Sequence, residues 1–169
     1  MCNCGKNRQP NPGPVTHAQA SQPVIVTHSQ PSVTISDPTI WGPILWRILH
    51  TLAAFSDRGR SIHVWTALIR MLFTSIPCAE CRLHFTQYIR ANPMRLHQST
   101  LQPYIVTYFF NLHNNVNRIT NKPIADTSVL PTGDRTQLLS GLSADIHALS
   151  SSFNSRTLDV IRKLVQVLS

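Results

Sequence analysis

Between residues 36 and 120, apolar residues recur at helical spacing in four stretches, each closed by a polar or proline break, and no strand pattern is evident. Ser36-Asp37-Pro38 supplies a capping side chain before a proline suited to a first helical turn, and Pro43 blurs that start by several residues. Leu45, Ile48, Leu49 and Leu52 mark the first helix, which ends in the polar break Ser56-Asp57-Arg58-Gly59-Arg60. Val64, Leu68, Met71 and Leu72 mark the second, to about Ser75, and Pro77 stops it. A third helix starts at Cys78 and Cys81 and carries Leu83, Phe85, Tyr88 and Ile89 up to Asn92-Pro93. The fourth, from about Thr100 to Thr120, has one stripe of Leu101, Ile105, Phe109, Leu112, Val116 and Ile119 and a second of Phe110, His113, Asn114 and Asn117. Four amphipathic helices on short loops favour an all-α four-helix bundle.

The flanks read differently. Before Pro38 the chain is rich in Pro, Gln, Ser, Thr, Asn and His with little periodic apolar content, the composition of a mobile tether, and it carries Cys2 and Cys4. Beyond Pro123 a loop through Pro131-Thr132-Gly133 leads to helical stretches near 137–150 and 155–168. The expected divisions are a disordered tail over 1–36, the bundle over 37–123, and a C-terminal helical extension over 124–169. That extension either caps the bundle, pairs two subunits or binds a partner.

With 42% apolar and 13% charged residues the chain can bury a core. Its +8 charge is spread over several helices without a basic run or a DNA-binding motif, so no nucleic-acid partner is expected. No apolar run approaches the ~20 residues of a membrane span, and Val24-Ile25-Val26 is too short for a signal-peptide core. Cys2 replaces the glycine that a myristoylation signal needs. The expectation is a soluble protein without a membrane partner.

The four cysteines fall into two close pairs, Cys2-x-Cys4 and Cys78-x-x-Cys81. Disulfides closing such short loops gain little chain entropy and suit bonds that open and close. At a helix start the macrodipole also favours a thiolate, so Cys78 and Cys81 read as a redox pair. Two other readings stay open at this point. In one, the four cysteines, with His84 close by, bind zinc in an adaptor module; in the other they are small residues of a structural helical protein. His50 and His113 each lie one helical turn or less from a large aromatic residue, Trp46 and Phe110. Flat apolar walls with a few fixed donors from Trp, Phe, His and Asn suit a planar aromatic ligand.

Taken together, these segments resemble the Erv/ALR family of FAD-linked sulfhydryl oxidases, and more closely its branch encoded by large DNA viruses. The resemblance covers residues 40–123. It implies FAD as cofactor, with Trp41, Gly42, Trp46 and His50 of the first helix and His113, Asn114, Val116, Asn117 and Lys122 at the other end as contacts. It also implies that Cys78 and Cys81 are the proximal catalytic disulfide, with Cys78 attacked and Cys81 beside the flavin, and that Cys2 and Cys4 are a catalytic shuttle pair. No metal is implied. The implied partners are protein dithiols, O2 as acceptor and a second copy in a homodimer. The implied location is host cytoplasm, virus assembly sites or the virion, with the mitochondrial intermembrane space of cellular relatives as the alternative. Departures include Tyr108 and Phe55, where many members have Trp and Tyr, and the lack of any cysteine after Cys81.

Overall fold

The structure is a computed structural model and describes residues 35–169; the expectations for Cys2, Cys4 and the rest of the tail fall outside the described residues. Among the described residues six α-helices make up the fold: α1 (Pro38–Ala54), α2 (Ile62–Ser75), α3 (Ala79–Ala91), α4 (Leu101–Ile119), α5 (Arg135–Ala148) and α6 (Ser155–Leu168). No strand occurs among the described residues. The all-α reading holds, and the helix starts follow the capping chemistry. Asp37 accepts from the Thr39 N–H at 2.8 Å, Asp134 from Gln137 and Asn154 from Thr157, each at 2.9 Å. Pro43 lies inside α1 and does not mark its start.

Helix α1 is the axis of the molecule. Positions 48–53 are all buried, so this stretch of α1 is covered around its whole circumference. Helix α4 packs along one side of α1 and α5 along another, while α2 rests mainly on α6 and α3. Large side chains fill the centre, among them Trp65, Phe109, Ile48, Leu68 and Leu112, all fully buried. The one polar atom of the Trp65 side chain is satisfied in the core: its indole N–H donates to Ser56 Oγ at 2.7 Å, and that hydroxyl donates to the Leu52 carbonyl at 2.7 Å.

The core does not stop at residue 123. Leu139, Leu142, Ile146 and Leu149 of the α5 region, and Phe153, Leu158, Ile161, Leu164 and Leu168 of the α6 region, belong to the same buried cluster as α1 and α2. The C-terminal segment therefore covers the bundle.

Candidate functional site

The first chemical centre is the start of α3. Pro77 leads into it, and Arg82 fixes the approach by donating to the Ile76 carbonyl at 2.7 Å. Cys78 is the N-cap, with extended backbone, and its sulfur accepts from the Cys81 N–H at 3.1 Å. Cys78 and Cys81 form a disulfide, with Cα atoms 5.2 Å apart. Both are half-buried, and Cys81 lies on the α3 stripe that continues through buried Phe85 and Ile89. The amides of a helix N-terminus have no intrahelical partners and carry partial positive charge. Breaking the disulfide thus places any Cys78 thiolate where negative charge is favoured.

The second centre lies between α1 and α4. Trp46 and His50, one turn apart on α1, have ring centroids 5.9 Å apart. His113 of α4 stacks on Trp46 with centroids 4.2 Å apart and planes within 9°. His50 Nε2 and His113 Nδ1 are 3.0 Å apart, a hydrogen bond that needs a proton on one nitrogen and a lone pair on the other. Burial, with His113 as a second cause, pushes His50 down to about 4, and burial with Lys122 lowers His113. Both rings are therefore neutral at pH 7. His50 Nδ1 is buried without a hydrogen-bond partner among the described residues, which is costly in a closed core.

The other expected contact residues divide into two groups. Gly42 precedes Trp46 by one turn, and a Cβ placed there would meet nothing within 4 Å, so space lies open along this face. Val116 and Asn117 stand on α4 one turn beyond His113, with Asn117 buried. The Lys122 N–H donates to the Asn117 carbonyl at 2.8 Å, which brings this exposed cation to the end of α4. Trp41 and Asn114 are engaged elsewhere. Trp41 is buried edge-on against Phe153, with its indole N–H on the Ser36 carbonyl at 3.2 Å. Asn114 accepts from the Ala125 N–H at 2.8 Å and donates to the Ala125 carbonyl at 3.1 Å, which pins the loop after α4. Sequence reasoning missed Arg82, because its target, Ile76, lies six residues back and only the folded turn brings the two together.

These residues fit a planar, phosphate-bearing cofactor such as a flavin dinucleotide. Flat aromatic faces, an unpartnered buried imidazole nitrogen, open space at Gly42 and a nearby exposed cation are the groups that such a ligand engages. Zinc fits poorly, since Cys78 and Cys81 are joined to each other and coordination requires thiolates.

Comparison with known proteins bears on the same region. Over 91 residues the chain is 40% identical to a protein of invertebrate iridescent virus 3 named provisionally as an FAD-linked sulfhydryl oxidase, a match covering 52% of this chain and 60% of that relative. It is 38% identical over 91 residues to the FAD-linked sulfhydryl oxidase of African swine fever virus (isolate Pig/Kenya/KEN-50/1950), covering 52% of this chain and 74% of the relative. Over 89 residues it is 36% identical to the FAD-linked sulfhydryl oxidase ERV1 of Oryza sativa subsp. japonica, covering 49% and 43% respectively. No solved structure gives a significant match. Residues 43–136, more than half of the chain and including both centres, match the Erv1 / Alr family model, and the chain belongs to that family.

Proposed function

We propose that this protein is an FAD-linked sulfhydryl oxidase that forms disulfide bonds in protein substrates. The observation that carries the reading is the Cys78–Cys81 disulfide across the N-terminus of α3, within a domain of this family. A substrate thiolate attacks Cys78 Sγ, the sulfur–sulfur bond breaks, and Cys81 leaves as a thiolate. The second substrate thiolate then attacks the substrate sulfur of the mixed disulfide. It releases Cys78 as a thiolate held by the Cys81 N–H and the helix terminus, and two electrons now reside on the cysteine pair. When bound, FAD would supply a two-electron acceptor for the thiol pair, with O2 as the final acceptor and hydrogen peroxide as its product.

Gly42, Trp46, His50, His113, Val116, Asn117 and Lys122 are the residues that would hold the cofactor. Trp46 and His113 offer flat walls, His50 a nitrogen, and Lys122 a charge for phosphate. The Cys2-x-Cys4 pair serves as the shuttle that receives electrons from larger substrates and passes them to Cys78. The viral relatives favour host cytoplasm, assembly sites or the virion as the place of work.

The test is the visible spectrum of purified protein before and after anaerobic dithiothreitol. Flavin bands that bleach with the thiol and return with oxygen are expected. A protein that neither carries flavin nor turns over when FAD is supplied would refute the reading.

A further inference from the structure

The family domain ends at Thr136, two residues into α5, yet α5, α6 and the turn between them supply nine of the 28 buried apolar residues among those described. Their places follow from the packing. Helix α2 has α6 as its most extensive neighbour, and α1 has α4 and α5. Without the hairpin, the fully covered stretch of α1 at positions 48–53 and the broad apolar face of α2 would meet water. Burial of a single large apolar side chain is worth roughly 1.5–3 kcal/mol, so a domain of α1 to α4 alone needs another surface there.

In this chain the hairpin is that surface, and polar contacts fasten it. Arg135 at the start of α5 reaches both carboxylate oxygens of Asp57, at 2.8 and 2.9 Å, and donates to the Leu168 carbonyl at 2.6 Å. Arg47 of α1 grips Asp145 of α5 with two nitrogens. Arg58 and Arg60 donate to the Val167 carbonyl at 3.3 and 3.2 Å, satisfying the otherwise orphaned C-terminal end of α6. At the other end the Ile35 N–H donates to the Ser151 carbonyl at 3.0 Å, which ties the root of the N-terminal segment to the same hairpin.

The outer face of the hairpin offers little to a second copy. Helix α6 turns Arg156, Asp159, Arg162 and Lys163 to solvent, and α5 turns Gln137, Ser140, Ser143 and His147. The large apolar residues exposed among the described ones are Ile40, Leu83, Ile119 and Ile124, none of them on α2, α5 or α6. Stable homodimers generally need a contiguous, largely apolar interface of about 800 Å² per partner or more.

We infer that the α5–α6 hairpin covers, within one chain, the α1–α2 face that would otherwise require a second apolar surface, so that the protein is a self-covered monomer. This replaces the homodimer expected from the family resemblance. Resting on the proposed oxidase function, it also means that Cys2 and Cys4 serve the Cys78–Cys81 pair of their own chain.

Sedimentation of the full oxidised chain over about 1–100 μM tests the inference, because a dimer would reveal itself by mass action. A single species of 19.0 kDa at every concentration is expected. A species of twice that mass at micromolar concentration, including one made by exchanging hairpins, would overturn it. This readout requires neither flavin nor turnover, so its failure is separate from failure of the oxidase reading. In an active preparation, a Cys2→Ser/Cys4→Ser chain mixed with a Cys78→Ser/Cys81→Ser chain is expected to show no restored oxidation of a protein substrate. Restoration would mean that arms serve neighbouring chains.

Discussion

The start of α3 and the Trp46–His50–His113 stack sit in one bundle but favour different charge states. At the first, a half-exposed sulfur pair stands on free helix amides, which favour an anion. At the second, burial holds two imidazoles neutral and leaves one of their nitrogens unpartnered. Both local environments follow from where α1, α3 and α4 place their polar residues relative to the core. The contrast suits a reaction in which thiolates form and vanish at one place while a neutral, flat-walled site holds a ligand at another.

The largest expected effect removes the sulfur chemistry alone. Cys81→Ser leaves Cys78 a lone thiol with no disulfide for a substrate thiolate to attack, so oxygen consumption with dithiothreitol falls at least ~100-fold. The Trp46–His50–His113 stack is untouched, and flavin absorbance is expected to match the parent. Equal loss of flavin and turnover would mean that the two centres are not independent.

Acid tests the second centre. Because folding depresses His50 from its ordinary value near 6.5 to about 4, the unfolded chain binds its proton first as pH falls. The stability contributed by the neutral ring is complete above pH 6.5, declines between about 6.5 and 4, and is lost below that window. The loss is on the order of 3 kcal/mol, measured by urea unfolding of the flavin-free protein at pH 7 and pH 4.5. His50→Leu removes the titrating group, and its stability is expected to be flatter across that window. An equal decline in parent and variant would assign the pH dependence to other groups.

How much of this could be read in advance depends on how local each determinant is. The helices were legible because caps such as Asp37 and stripes such as Leu101, Ile105, Phe109 and Leu112 are written within one or two turns. That α3 begins at the cysteine pair was legible for the same reason, while the place of Cys78 as N-cap came from the structure. The role of α5 and α6 was not, because the partners of Arg135 and Asp145 lie 78 and 98 residues away. Trp41 and Asn114 show the same limit at the candidate site. The family resemblance implies them as cofactor contacts, and only the fold shows that Phe153 packs on one and Ala125 pairs with the other.

Asn114 supplies a smaller test. Its amide makes two hydrogen bonds to Ala125, one as donor and one as acceptor, and is itself buried. Asn114→Ala should cost about 2 kcal/mol of unfolding free energy, at roughly 1 kcal/mol per bond. If the residue acts by positioning, the loop after α4 loses protection in hydrogen exchange while the affinity for FAD falls only a few-fold. A large affinity loss with the loop still protected would make Asn114 a direct cofactor contact.

The smallest expected effect concerns Glu80, which stands exposed in the first turn of α3, next to the sulfur pair. Its carboxylate interacts favourably with the helix dipole but repels a thiolate at the same end, so the two influences differ between oxidised and reduced protein. Glu80→Gln removes both. The dipole contribution is lost in both states and largely cancels in the redox equilibrium, whereas the repulsion is relieved only when the cysteines are reduced. Interactions between exposed charge pairs are worth about 0.2–1 kcal/mol, which for a two-electron couple corresponds to a rise in reduction potential of roughly 4–20 mV. Equilibration with glutathione buffers of varied ratio measures the shift, and added salt should shrink it. A potential that falls in the variant would mean that Glu80 stabilises the reduced pair, as a proton acceptor or through an ordered contact, and the α3 terminus would no longer be tuned by charge alone.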